Sequence, residues 1–313
     1  KLLKDKKVEK DNHYKNEIDL TEFFSTLWRS KIKIFAITII FSLVSIVYTF
    51  SLPNLYKAEV LLAPAQSSQG DLSSALGQLG GLAAVAGINI DNSEVNDAKV
   101  AQEIMKSWSF IDKFISDNEL SVEIYAAEGW KKDTNELQID RRIYDSQNER
   151  WLVENDSNVI GPPTSWGLYK EFSERLQVSQ DSKTGLVAVS IEYYSPFIAK
   201  KWVDMYVRAI NTYMQQRQIQ KVTKNIEYLK TQIDKTSVME MRDAFYSVME
   251  EQIKNKMLAE ASPDYVFVAV SPSMVPEKKS QPSRALIVLL VSLFGLMFSS
   301  VLVLVMHYVK KPL

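Results

Sequence analysis

The sequence predicts an α+β membrane protein: two transmembrane helices flanking a large extracytoplasmic α/β base domain, from which a long helical hairpin projects. Three observations carry this. Two segments, IFAITIIFSLVSIVYTFSLPNL over 34–55 and ALIVLLVSLFGLMFSSVLVLVM over 285–306, contain no charged residue. The chain between them is mixed in character and rich in charge. Within it, neither proline nor glycine occurs from Phe197 to Ser262, where apolar residues recur at helical spacing.

The apolar runs come first. A helix rises about 1.5 Å per residue, so roughly 20 residues cross a hydrocarbon core of about 30 Å. Both runs are apolar all round, unlike the single stripe of a surface helix. Arg29, Lys31 and Lys33 precede the first, and Lys310 and Lys311 follow the second, which predicts cytoplasmic tails over 1–33 and 308–313. Lys278, Lys279 and Arg284 oppose this, but they lie on a connection long enough to translocate regardless of charge. Trp28 and Tyr308 fall where aromatic rings settle at headgroup level. The first run is too long for a signal-peptide core and shows no small-residue cleavage site. The expected order is a span at 34–55, an outer domain at 56–284 and a span at 285–307, with the base at about 56–195 and 261–284 and the arm at about 196–260.

In the outer domain, YKAEVLLA from Tyr56 reads as a strand leaving the membrane. Val100, Ile104, Trp108, Ile111 and Ile115 predict one amphipathic helix, capped near Asn96 or Asp97. Residues 120–165 support no firm assignment beyond a turn at Pro162 and Pro163. Leu176–Val178 and Leu186–Tyr193 flank the turn signal DSKTG and predict a hairpin. Pro196 suits the first turn of a long helix. Along it Ile219, Val222, Ile226, Leu229 and Ile233 step by 3, 4, 3 and 4, the spacing of a helix packed against a neighbour. The stripe breaks near Asp234–Ser237, and Val238, Met241, Phe245, Val248 and Ile253 begin a returning arm. Forty residues would project the first arm roughly 60 Å. Such an apolar stripe is more than a lone arm should expose to water, so a homo-oligomer is expected. YVFVAV from Tyr265 then returns as a strand beside Val60.

Composition removes several function classes. A net charge of -1 on 313 residues gives no basic face for nucleic acid. There is no cysteine, and the two histidines, His13 and His307, lie at the membrane-side ends, so thiolate sites and histidine triads are excluded from the outer domain. No nucleotide-binding loop G-x-x-x-x-G-K-[ST] occurs, and the tails leave no room for a kinase or signalling module. Gly70, Gly77, Gly80, Gly81 and Gly87 match no phosphate-binding fingerprint and read as a flexible loop. Glu250 and Glu251 belong to a solvated helix face. No residue is therefore expected to serve as a catalytic, cofactor-binding or metal-binding group.

Before the second span, Pro272, Pro276 and Pro282 should hold the chain extended as far as Arg284. Inside that span Gly295 and Ser299 form a small-xxx-small pair, which suits close approach of another helix or leaves a lipid-facing glycine. At this point the chain resembles the Wzz-type chain-length determinants, the polysaccharide co-polymerases of the O-antigen and enterobacterial common antigen class. The resemblance rests on IDLTEFFSTLWRSKIKI, on LPNLYKAEVLLAP, on AEASPDYVFVAVSPSMVPEKKSQPSRALI with its prolines, and on the two-span layout. It implies an inner-membrane protein with a periplasmic base, a long helix and ring-like homo-oligomers. It also implies a Wzy-type polymerase as partner, an undecaprenyl-diphosphate-linked polysaccharide as the regulated polymer, and no catalysis. Two other readings share the layout: a two-span sensor with a separate signalling partner, and an extracytoplasmic enzyme acting on glycans in the unassigned region 120–165, where acidic residues and Trp130, Trp151 and Trp166 occur, although core packing explains those aromatics more simply.

Overall fold

The computed structural model describes residues 27–65, 93–154 and 160–310. From the N-terminal side its elements are α1 (Lys31–Ser51), β1 (Tyr56–Pro64), α2 (Ser93–Lys106), α3 (Trp108–Asp117) and α4 (Ser121–Tyr125). Two small hairpins follow, β2 (Ala127–Lys131) with β3 (Glu136–Ile139) and β4 (Tyr144–Asp145) with β5 (Arg150–Trp151). Then come α5 (Ser165–Arg175), β6 (Leu176–Gln180), β7 (Val187–Tyr193), α6 (Pro196–Lys235), α7 (Met239–Ala261), β8 (Phe267–Ser271) and α8 (Arg284–Lys310). They form two compact units: one joins the chain up to Pro53 with that from Gln281 onward, and the other is Asn54–Ser280.

In the first unit α1 packs against α8. The apolar run was expected to stay helical to Leu55, but α1 ends at Ser51. Pro53 disfavours helical geometry at the preceding residue, and Leu52 is extended with ψ 136°.

The second unit is built on an antiparallel sheet of order β6-β7-β1-β8. Along β1, Ala58, Val60 and Leu62 are buried in alternation, and the register sets Val60 opposite Val189 and Ala58 opposite Ile191. As the spacing predicts, the chain returning from the arm pairs with β1, Leu62 facing Ala269 and Pro64 facing Phe267. The β6–β7 hairpin turns at the predicted place. Asp181 accepts the Lys183 N–H at 2.8 Å, and Gly185 takes φ +73°, which a side chain would resist.

The first half of α6 covers the sheet with Trp202, Tyr206 and Ile210, all buried. Tyr206 meets Phe114 edge-on at 4.8 Å between centroids, and Trp202 lies tilted against Tyr193 at 4.3 Å. The Tyr206 hydroxyl donates to the Met105 carbonyl, tying α6 to the end of α2.

Two stretches differ from the sequence reading. The single helix predicted through Trp108 is broken at Ser107, whose φ, ψ of -73°, 144° end α2 and whose hydroxyl caps α3 by accepting the Phe110 N–H at 3.4 Å. The break turns Trp108 half outward, where its indole N–H donates to Ser165 at 2.9 Å. Residues left unassigned form α4, the two small hairpins and the first part of α5, which Thr164 caps at the Gly167 N–H. Trp130 packs edge-on against Tyr56 and Phe197, and Trp151 against Tyr125 and Tyr144. Trp166 stays exposed beside Tyr169.

Candidate functional site

No proline or glycine interrupts α6 over its 40 residues, so at about 1.5 Å per residue it is roughly 60 Å long. After a three-residue connection at Thr236–Val238, α7 packs back against it. The predicted stripe is the seam of this hairpin. Val222, Leu229 and Ile233 are buried, Ile219 and Ile226 half-buried. A side-chain hydrogen bond of 3.4 Å from Asn225 to Gln252 crosses the two helices. The stripe is therefore covered by the chain's own return helix, and it does not by itself call for a second copy, as the sequence argument had held. Exposed apolar side chains remain instead on α7, among them Met239, Met241, Tyr246, Val248, Ile253 and Met257.

The exit segment after β8 carries the predicted prolines. Pro272 is exposed, and Pro276 and Pro282 are half-buried. Ser280 donates both its N–H and its hydroxyl to the Leu55 carbonyl, at 2.8 and 3.2 Å, which joins the exit to the start of the domain. In the helical unit the Arg284 guanidinium lies 4.8 Å from the centre of the Phe50 ring.

Gly295 and Ser299 lie at the α1–α8 interface. A Cβ at position 295 would sit 2.8 Å from Phe41 Cβ, and Ser299 is fully buried. One layer away, the Ser42 and Ser292 hydroxyls share a 2.7 Å hydrogen bond. The small residues thus let two helices of one chain approach.

Two further features escaped the sequence reading, because each combines residues far apart in the chain. An open groove of about 410 Å³ runs between α3 and α6, bordered by Phe110, Lys113, Asp117, Arg208, Tyr213 and Gln216. On α4, burial pushes the Glu123 carboxyl above its ordinary range, against a smaller opposing pull from Lys201, and Glu123 Oε2 has no hydrogen-bond partner. Among the described residues no group of three or more histidines, cysteines or carboxylates could hold a metal. The glycines from Gly70 to Gly87 and His13 lie outside the described residues.

Comparison with known proteins adds the following. Residues 16–118 match the family model of Wzz, described as chain length determinant protein. The matched stretch includes α1, β1, α2 and α3. No curated protein sequence matches the chain. Among solved structures, a full-length bacterial polysaccharide co-polymerase is similar at 12% identity and a TM-score of 0.40, over 95% of this chain and 99% of that one. A fragment of WzzB, a polysaccharide co-polymerase from Salmonella Typhimurium, is similar at 11% identity and a TM-score of 0.31, over 72% of this chain and 99% of that one.

Proposed function

We propose, on the premise that this is a Wzz-type protein as its residues 16–118 mark it, that the chain sets the length of a surface polysaccharide made by a Wzy-dependent route. It acts without catalysis, as a homo-oligomer in the inner membrane. The family match is the observation that carries this reading, and the architecture supports it. Two helices are long and apolar enough to span a bilayer, and the domain between them puts its long hairpin on an antiparallel sheet. Both tails lie in the cytoplasm and the domain from Asn54 to Ser280 in the periplasm. The partner is a Wzy-type polymerase, which extends an O-antigen or related polymer on undecaprenyl diphosphate. The regulator biases when extension stops. Exposed apolar side chains on α7 supply surface for neighbouring copies.

The test is a gel of surface polysaccharide from cells with and without the gene. Loss of the preferred length range on deletion, restored by the gene in trans, is expected. An identical ladder in the two strains rejects the reading.

A further inference from the structure

Helix α6 carries polar side chains at positions 204, 211 and 215, two turns and one turn apart and so on one face. Each holds the chain on its way back from the arm. Gln215 Nε2 donates to the Ala259 and Ser262 carbonyls at 2.9 and 3.0 Å, at the end of α7 where carbonyls lack helical partners. Asn211 is 2% exposed. Its Oδ1 accepts the Val266 and Phe267 N–H groups at 3.1 and 2.9 Å, and its Nδ2 donates to the Phe267 carbonyl at 2.8 Å. Phe267 lies opposite Pro64 on β1 in a pair that exchanges no backbone hydrogen bond, since the Ala65 N–H donates to the Val266 carbonyl, and Asn211 takes up the N–H and carbonyl that Phe267 turns away from β1. Asp204 accepts the Ser273 hydroxyl at 2.5 Å and pairs with Lys200 at 2.6 Å. As α6 is followed from 215 to 204, the returning chain runs from 259 to 273, so the contacts form a ladder between antiparallel tracks.

Apolar packing in the arm does not specify this alignment. The stripe Ile219, Val222, Ile226, Leu229 and Ile233 repeats itself, so α7 displaced along it would still meet apolar side chains. The polar ladder is satisfied in one alignment only, and any other leaves buried amide and carbonyl groups without partners. We propose that Asp204, Asn211 and Gln215 are positioning residues for length control: they set the register of the arm against the chain that leads through β8 to the second span. This rests on the chain-length reading above. Under it, the arm and the exit segment form one lever, and the ladder fixes where the lever is held.

The test uses the full chain in cells. The protein has no cysteine, so Asn225→Cys with Gln252→Cys, a pair whose side chains meet across the hairpin, gives two thiols that a short bis-maleimide joins in this register. In this background Asn211→Leu removes the central hold, and Gln215→Glu keeps the size of the side chain while losing the donor. The parent is expected to crosslink. Both variants are expected to lose the crosslink and to move the modal polymer length, at protein levels matched to the parent. Parent protein expressed at graded levels gives the length distribution that a lowered protein level produces by itself, against which both variants are compared. If Asn211→Leu fails to accumulate, Gln215→Glu decides. A retained crosslink with an unchanged mode overturns the proposal, and so does a lost crosslink with an unchanged mode. An unchanged ladder in the gene-deletion strain rejects the length reading instead, and the crosslink then still tells whether these residues set register.

Discussion

Single side chains in this protein have effects that depend on a partner distant in sequence. Gly295 is the clearest instance, since any side chain there meets Phe41 of the opposite span. Gly295→Leu is expected to destabilise the α1–α8 pair by roughly 1–3 kcal/mol through overpacking, although leucine favours insertion into the bilayer. Disulfide formation between Ser42→Cys and Ser292→Cys, whose hydroxyls are now 2.7 Å apart, would read this. The crosslink should weaken with Gly295→Leu and recover when Phe41→Ala makes room. Unaltered crosslinking in Gly295→Leu would place the glycine away from that interface. Glu123 permits a prediction in pH. Its folded-state value lies above the ordinary 4.5 because burial disfavours the charge. Between those two values the folded state holds more protons than the unfolded state, so stability falls as pH rises through the window, and the whole penalty persists above it. Glu123→Gln should therefore be more stable than the parent at neutral pH, with the difference shrinking as pH falls toward 4.5. Thermal melts from about pH 4 to about pH 8 would show it, and parallel curves for the two proteins would contradict it.

At the scale of elements, the hairpin separates positions that the sequence pattern treats alike. Val222 is 2% exposed, whereas Ile226, one step along the same stripe, is half-buried. Val222→Asp places a charge inside the seam and should cost about 3 kcal/mol or more, while Ile226→Asp can turn its carboxylate to water and should cost about 1 kcal/mol or less. Trypsin cleavage after Lys235, at the connection between the helices, should accelerate markedly in the first variant and little in the second. Equal acceleration in both would mean that the seam is not packed as described. The stripe itself was legible, because a period of 3 and 4 marks a helix with one covered face. Which helix covers it was not, since an apolar face in sequence carries no record of its partner, and a return helix and a second protomer supply the same chemistry. The paired strands β1 and β8 were legible from their apolar runs, and the β6–β7 hairpin from DSKTG. The break at Ser107 was not, for Trp108 fits the helical period and only the Ser107 hydroxyl, acting as a cap, signals the stop. The polar ladder on α6 was equally hidden. Asn211 and Gln215 look like residues of an exposed face until the returning chain is laid against them.

At the scale of the whole molecule, sidedness follows from connectivity and charge. The strand that follows α1 and the strand that precedes α8 are hydrogen-bonded neighbours, Leu62 opposite Ala269, so both spans connect to a single sheet. Two crossings from one domain leave both tails on the opposite side of the bilayer, whichever side that is. Direction is then set by charge. Arg29, Lys31 and Lys33 sit at the head of the first span and Lys310 and Lys311 at the foot of the second, while the opposing Lys278, Lys279 and Arg284 belong to a connection of the length that translocates regardless of charge. The expected arrangement is tails inside and sheet outside. Because the chain has no cysteine, single substitutions report sidedness cleanly. Lys183 lies exposed in the turn between β6 and β7, clear of the buried core. Lys183→Cys should react with a membrane-impermeant maleimide on intact spheroplasts, and Lys311→Cys should react only after the membrane is opened. The opposite pattern would invert the protein and separate the domain from a periplasmic polymer. Labelling of both cysteines in intact cells would remove the second crossing, and with it the idea that the arm and the exit segment are anchored by a pair of spans.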